Sequence, residues 1–95
     1  MKLGRIVGTV VSTRKDASLA SLKLLIVENL APTLDREGGY VVAVDSVGAG
    51  VGEVVLYATG SSARLTPVTK DRPVDAVVMA IVDSFDVEGK SVRLA

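Results

Sequence analysis

The stretch from Asp45 to Arg64, DSVGAGVGEVVLYATGSSAR, constrains this chain more than any other. Glycines stand at alternate positions (Gly48, Gly50, Gly52), an apolar strand follows over residues 53–58, and Gly60 opens a second turn that closes on Arg64. Glycine recurs where a backbone must bend hard or approach another backbone closely. With small residues around it, the block reads as a packed junction between copies of the chain rather than as a substrate pocket.

The rest of the chain is written for strands. Val, Ile and Thr dominate, and turn residues recur at short intervals. Strands are expected over residues 3–13, 22–30, 40–44, 53–58, 74–87 and 91–94. Leu19, Leu22, Ile26 and Leu30 also fit a helical stripe, but the apolar run 24–27 is short and hemmed by polar loops, which favours a strand. Residues 14–21 read as a loop, 32–39 (PTLDREGG) as a surface turn, and 66–73 as a polar connection. Residues 61–65 fit one helical turn, with Ser61 or Ser62 as its cap. In 95 residues this makes one domain, 1–95, mainly β. A five-stranded OB-like β-barrel with one short helix matches the size.

The fifth predicted strand is apolar on both sides. Val74, Ala76, Val78, Ala80 and Val82 share one face; Val77, Met79 and Ile81 share the other. Only one face of a strand in a small barrel lines the core, so the second needs another cover. In a chain this short the expected cover is another subunit. Val77, Met79 and Ile81 are therefore candidate interface residues, and a homo-oligomer is expected.

Composition narrows the chemistry. There is no cysteine and no histidine, which removes thiolate metal sites and the commonest general base. Eleven basic and eleven acidic residues cancel, leaving no global pull toward nucleic acid or anionic lipid. The opening MKLGRIVG does not read as a secretory signal, and the longest apolar run, 76–82, is far short of a membrane span. A cytoplasmic protein is expected. Near-motifs fail on spacing. The dinucleotide fingerprint would need glycine where Glu53 stands, and a strand follows where it needs a helix. The nucleophile-elbow pattern breaks at Arg64. Asp83, Asp86 and Glu88 miss the calcium-loop spacing and suit a solvated hairpin. Arg64 is either solvated or a donor to carbonyls or to a carboxylate across an interface, where its fixed fork suits bidentate pairing. With Tyr40, Tyr57 and Phe85 as the only aromatics, an OB-fold nucleic-acid-binding module is a weak alternative. A non-catalytic accessory subunit of an enzyme complex is another.

With these residues in view, the chain resembles the EutN/CcmL family, the pentameric vertex proteins of bacterial microcompartment shells. The resemblance is carried by GRIVGTVVSTRK (residues 4–15), LKLLIVENL (22–30), the 45–64 block and RPVDAVVMAIVD (72–83). It implies an OB-like barrel assembling as a cyclic pentamer that fills the fivefold corners of a carboxysome-like polyhedral shell. Its partners would be hexameric and pseudohexameric trimeric shell proteins, with no enzyme activity, cofactor, metal, nucleic acid or membrane involved. A fivefold ring is a heterologous, closing assembly, in which each subunit presents two different surfaces. The resemblance places Gly48, Ala49, Gly50, Val51 and Gly52 at the fivefold axis, bordering a pore. It makes Arg64, with Asp45, Asp75 or Asp83 as partner, a subunit or vertex-to-facet contact.

Overall fold

In the computed structural model, which describes residues 1–94, strands form where side chains alternate between a buried and an open face. β1 spans Lys2–Val10, β2 Leu24–Leu30, β3 Arg36–Asp45, β4 Val54–Thr59 and β5 Ala76–Ile81. They close into a barrel in the order β1-β2-β3-β5-β4. Every ladder is antiparallel except β3 with β5, which run parallel with Val44 opposite Val77 and Asp45 opposite Val78. This is the expected five-stranded, OB-like barrel. A hairpin of β6 (Ser84–Val87) and β7 (Lys90–Arg93) follows. Among the described residues the helical elements are two 3-10 turns, Ala17–Leu19 and Gly60–Arg64.

The barrel is filled by small aliphatic side chains around a single aromatic. Ile6, Leu25, Val27, Ala43, Ala49, Val55, Ala76 and Val78 pack with Tyr57. The Tyr57 hydroxyl donates to Asn29 Oδ1, so its polar end is satisfied, and burial, aided by the charge of Glu37, raises its pKa. Gly4 sits where β1 passes between β2 and β4. A Cβ there would lie 2.4 Å from Val27 Cγ1 and 3.0 Å from the Glu28 carbonyl oxygen. Only glycine lets the three strands come this close.

A second, smaller core lies outside the barrel and corrects the expected subunit cover. Val44, Ala58 and Val77 point outward and are roofed by Ala63 of the Gly60–Arg64 turn, with Leu22, Leu24, Val74 and Met79 packed around them. Val77 is completely buried within its own protomer, so it is not available to a neighbour. Nor does Ile81 share an outer face with Val77. The ladder between β4 and β5 slips between Leu56 and Tyr57, whose partners are Ala80 and Val78, so β5 carries one extra residue there. Such a bulge reverses the in–out alternation, and Ile81 packs back against the barrel core.

Other boundaries shift for local reasons. β1 stops at Val10 rather than residue 13 because side chains offer the backbone other partners. Ser12 Oγ donates to the Arg14 carbonyl at 2.7 Å, and Asp16 Oδ1 accepts from Ser18 N at 2.9 Å, capping the first 3-10 turn. Residues 36–39, expected in a surface turn, begin β3. The turn closes early through Leu34 N to Ala31 O at 2.8 Å, which brings Arg36 opposite Leu30. The single strand expected over 74–87 is two, β5 and β6, parted after Val82 N bonds the Val54 carbonyl at 2.9 Å. At the second 3-10 turn Thr59 holds the N-cap position without a side-chain bond, and Ser62 Oγ instead donates back to its carbonyl at 2.8 Å.

Candidate functional site

The glycine loop between β3 and β4 is knotted from within. Asp45 Oδ1 accepts the N–H groups of Val47, Gly48 and Ala49 at 3.0, 3.0 and 3.2 Å. Its other oxygen lies 3.5 Å from Lys23 Nζ, which also donates to the Ala49 carbonyl at 2.9 Å. Glu53 Oε1 accepts from Gly50 N at 2.7 Å. β1 then clamps the far side of the loop, with Gly52 N donating to the Ile6 carbonyl at 2.8 Å and Ile6 N to the Glu53 carbonyl at 3.0 Å. Arg5 Nη1 adds a bond to the Gly52 carbonyl at 3.2 Å. Gly48 and Gly52 hold φ of 79° and 95°, where a side chain would be strained. With five of its N–H groups consumed internally, the loop is not a phosphate cradle.

This geometry separates the residues expected at an axis. Ala49 is completely buried and plugs the end of the barrel core, so it cannot line an opening. Gly48, Val51 and Gly52 are exposed, Val51 at 63%. Gly50 is half-buried, and a Cβ there would meet only Glu53 Oε1, at 3.6 Å.

The Asp45 carboxylate is only 4% exposed. Burial raises its pKa, but the N–H groups of Val47, Ala49 and Gly48 and the charge of Lys23 outweigh that effect and hold it below the usual 3.8. Asp45 is therefore a loop organiser, not a partner for Arg64. Arg64 is exposed at the end of the second 3-10 turn and donates through Nη1 to the Val74 carbonyl at 3.3 Å. Asp75 is exposed beside it, and its carbonyl accepts from Gly60 N at 2.8 Å. Asp83 lies elsewhere, at the start of the hairpin, its carbonyl bonded by Leu94 N. Among the described residues the ion pairs are Lys23 with Asp45 and Arg36 with Glu28, so the Arg64 guanidinium meets no carboxylate of its own protomer.

A buried hydroxyl pair holds this edge rigid. Thr69 Oγ1 donates to the Ala63 carbonyl at 2.6 Å and lies 2.7 Å from Thr66 Oγ1. Met79 is half-buried at the margin of the outer core. The sequence reading missed Lys23 and Glu53 as loop ties. Asp45, the acid ahead of the glycine run, carries a readable signal as a side-chain cap for turn N–H groups, but Lys23, before β2, and Glu53, after the run, carry none.

The family model described as "Ethanolamine utilisation protein EutN/carboxysome" matches residues 1–83. The chain belongs to the EutN/CcmL family. It is 47% identical over 92 residues to the carboxysome shell vertex protein CcmL of Synechococcus elongatus, covering 97% of this chain and 93% of that one. It is 46% identical over 86 residues to the bacterial microcompartment shell vertex protein GrpN of Rhodospirillum rubrum, covering 90% and 97%. Among solved structures, CcmL of Gloeobacter violaceus superposes with a TM-score of 0.90 at 41% identity, covering 96% of this chain and 94% of that chain. The GrpN pentameric shell protein superposes at 0.82 and 46% identity, covering 92% and 100%. The EutN/CcmL pattern therefore runs through the barrel, the glycine loop and the Gly60–Arg64 turn together.

Proposed function

We propose that this chain is a structural vertex protein of a bacterial microcompartment, assembling as a pentamer that closes the fivefold corners of a polyhedral shell. The observation that carries this reading is the near full-length likeness to GrpN, a pentameric shell protein, in both sequence and fold. The chain works by geometry and not by turnover, inside the cytoplasm as part of the shell. The Asp45-knotted loop faces the fivefold axis, where Gly48, Gly50, Val51 and Gly52 let five backbones converge without steric conflict. Arg64, on its rigid edge with Asp75 beside it, meets hexameric or pseudohexameric facet proteins through its unspent guanidinium donors.

Two substitutions test these placements. Gly50→Leu is compatible with the protomer, since its Cβ meets nothing closer than 3.6 Å. It should narrow or block the axial opening in an electron-microscopy reconstruction, or weaken the ring. An unchanged ring and opening would remove the loop from the axis. Arg64→Ala should leave the barrel and the pentamer intact while reducing incorporation into shells co-expressed with facet proteins. Normal shell closure with the variant at its vertices would sink that assignment.

A further inference from the structure

We infer that the cleft beside Arg64 receives an aliphatic side chain with carboxylates next to it, presented by a segment of a facet protein. The inference rests on the vertex reading above and adds to it the chemistry of what Arg64 meets. The cleft, of about 400 Å³, is lined by Arg64, Leu65, Thr66, Pro67 and Lys70. Leu65, 83% exposed, and Pro67 give it an apolar wall, while Arg64 and Lys70 bring two cations to the same opening.

Both cations are free to act on a partner. Among the described residues the ion pairs are Lys23 with Asp45 and Arg36 with Glu28, so the nearby Asp71 and Asp75 neutralise neither Arg64 nor Lys70. Arg64 spends one Nη1 hydrogen bond on the Val74 carbonyl. Other clefts of the protomer mix their charges. One holds Lys2 with Glu37, another Glu88 with Lys90, and a third Arg5 with Glu53 and Asp83. The cleft at Arg64 carries positive charge alone, which favours an acidic segment and opposes a basic one. A polyanion without apolar groups, such as a nucleic-acid backbone, would leave the Leu65 and Pro67 wall unfilled.

The walls are also preformed. Leu65 N donates to the Ser62 carbonyl at 3.2 Å and Lys70 N to the Thr66 carbonyl at 2.9 Å. Thr66, buried at the lining, shares its hydroxyl with Thr69 at 2.7 Å. Beyond Lys70, Arg72 Nη1 donates to the Ser18 and Ala20 carbonyls at 3.1 and 2.9 Å, pinning the connection to the first 3-10 turn. A partner therefore meets a fixed backbone, and little ordering entropy opposes docking.

The test titrates the purified wild-type protein with fluorescently labelled peptides that differ only around a central leucine: Glu-Leu-Glu, Gln-Leu-Gln and Lys-Leu-Lys. Fluorescence anisotropy at low ionic strength should show the acidic peptide binding most tightly and the basic one not at all. Lys70→Glu should weaken the acidic peptide by about fivefold or more, because an attraction becomes a repulsion. Leu65→Ser should weaken it by about threefold through lost apolar contact. Both side chains are exposed, so circular dichroism should show an unchanged barrel. Failure of the acidic peptide to bind, or equal affinity for the acidic and neutral peptides, would overturn the inference. Unchanged binding by Leu65→Ser would reduce the cleft to a bare anion site and overturn it too. Lys70→Glu should also lower incorporation into shells co-expressed with facet proteins. If wild type enters those shells but the peptide results are negative, the inference is wrong and the vertex reading stands. A wild type that binds the acidic peptide yet never enters shells would overturn the facet protein as occupant together with the vertex reading.

Discussion

Gly4→Ala should be the most damaging single-methyl change in the barrel, destabilising it by about 3 kcal/mol, the upper part of the range for overpacking a tight core. Its new Cβ would fall 2.4 Å from Val27 Cγ1, 3.0 Å from the Glu28 carbonyl and 3.1 Å from Tyr57 Cε1. Val27 is β-branched and stiff, the carbonyl belongs to the ladder with β1, and Tyr57 is held by Asn29, so none of the three yields cheaply. For a chain of this size the loss corresponds to a fall in melting temperature on the order of 15 °C. By contrast, a Cβ at Gly8 meets Ile26 Cδ1 at an ordinary 3.5 Å, so Gly8→Ala should cost the protomer little. Thermal melts of both variants check the contrast. Equal melting of Gly4→Ala and wild type would show that the strands are not packed as described.

Asp45→Ala should have the second-largest effect. It removes the common acceptor of three loop N–H groups and the anion beside Lys23. Donors left without a partner cost about 1–3 kcal/mol where water cannot replace it, and Val47 and Gly48 are exposed enough to recover part. A net loss of about 2 kcal/mol is expected, with faster hydrogen exchange at Gly48 and Ala49 while β1 to β5 stay protected. Acid makes the same point with the native side chain. The folded pKa of Asp45 lies below its ordinary value, so the unfolded chain takes up the proton first. Its contribution is complete above about pH 4 and is lost as pH falls through the folded value. Asp45→Asn should therefore show a shallower loss of stability on acidification than wild type. Parallel acid profiles for the two would remove Asp45 from the loop.

The two effects separate what the sequence made legible from what it hid. Strand periodicity was readable because each strand buries one face, and the glycine turns at 48–52 and 60 punctuate it unmistakably. The doubly apolar fifth strand was readable too, but its cover was not. The roof over Val77 comes from Ala63, which lies beyond β4 in the chain, and nothing in the spacing of residues 74–82 announces where residue 63 will fold back. The same argument applied to YVVAV, residues 40–44, would have flagged β3 as apolar on both faces. There the outer side stays open at Tyr40 and Val42, and only the structure distinguishes the roofed strand from the bare one. The resemblance groups Ala49 with its glycine neighbours at the axis. The Asp45 cap turns it inward, a consequence of hydrogen bonds that join residues two to four positions apart. Of the three carboxylates named as partners for Arg64, Asp75 follows the residue whose carbonyl Arg64 bonds, whereas Asp45 and Asp83 belong to other parts of the protomer.

The central claim is that five copies of this chain close into a ring. Native mass spectrometry of the purified wild-type protein, across a concentration series in volatile buffer at neutral pH, tests it most directly. The account predicts one dominant species at five times the 9.8 kDa protomer mass, persisting at micromolar concentration. A monomer, a dimer or a ladder of open oligomers at those concentrations would contradict it.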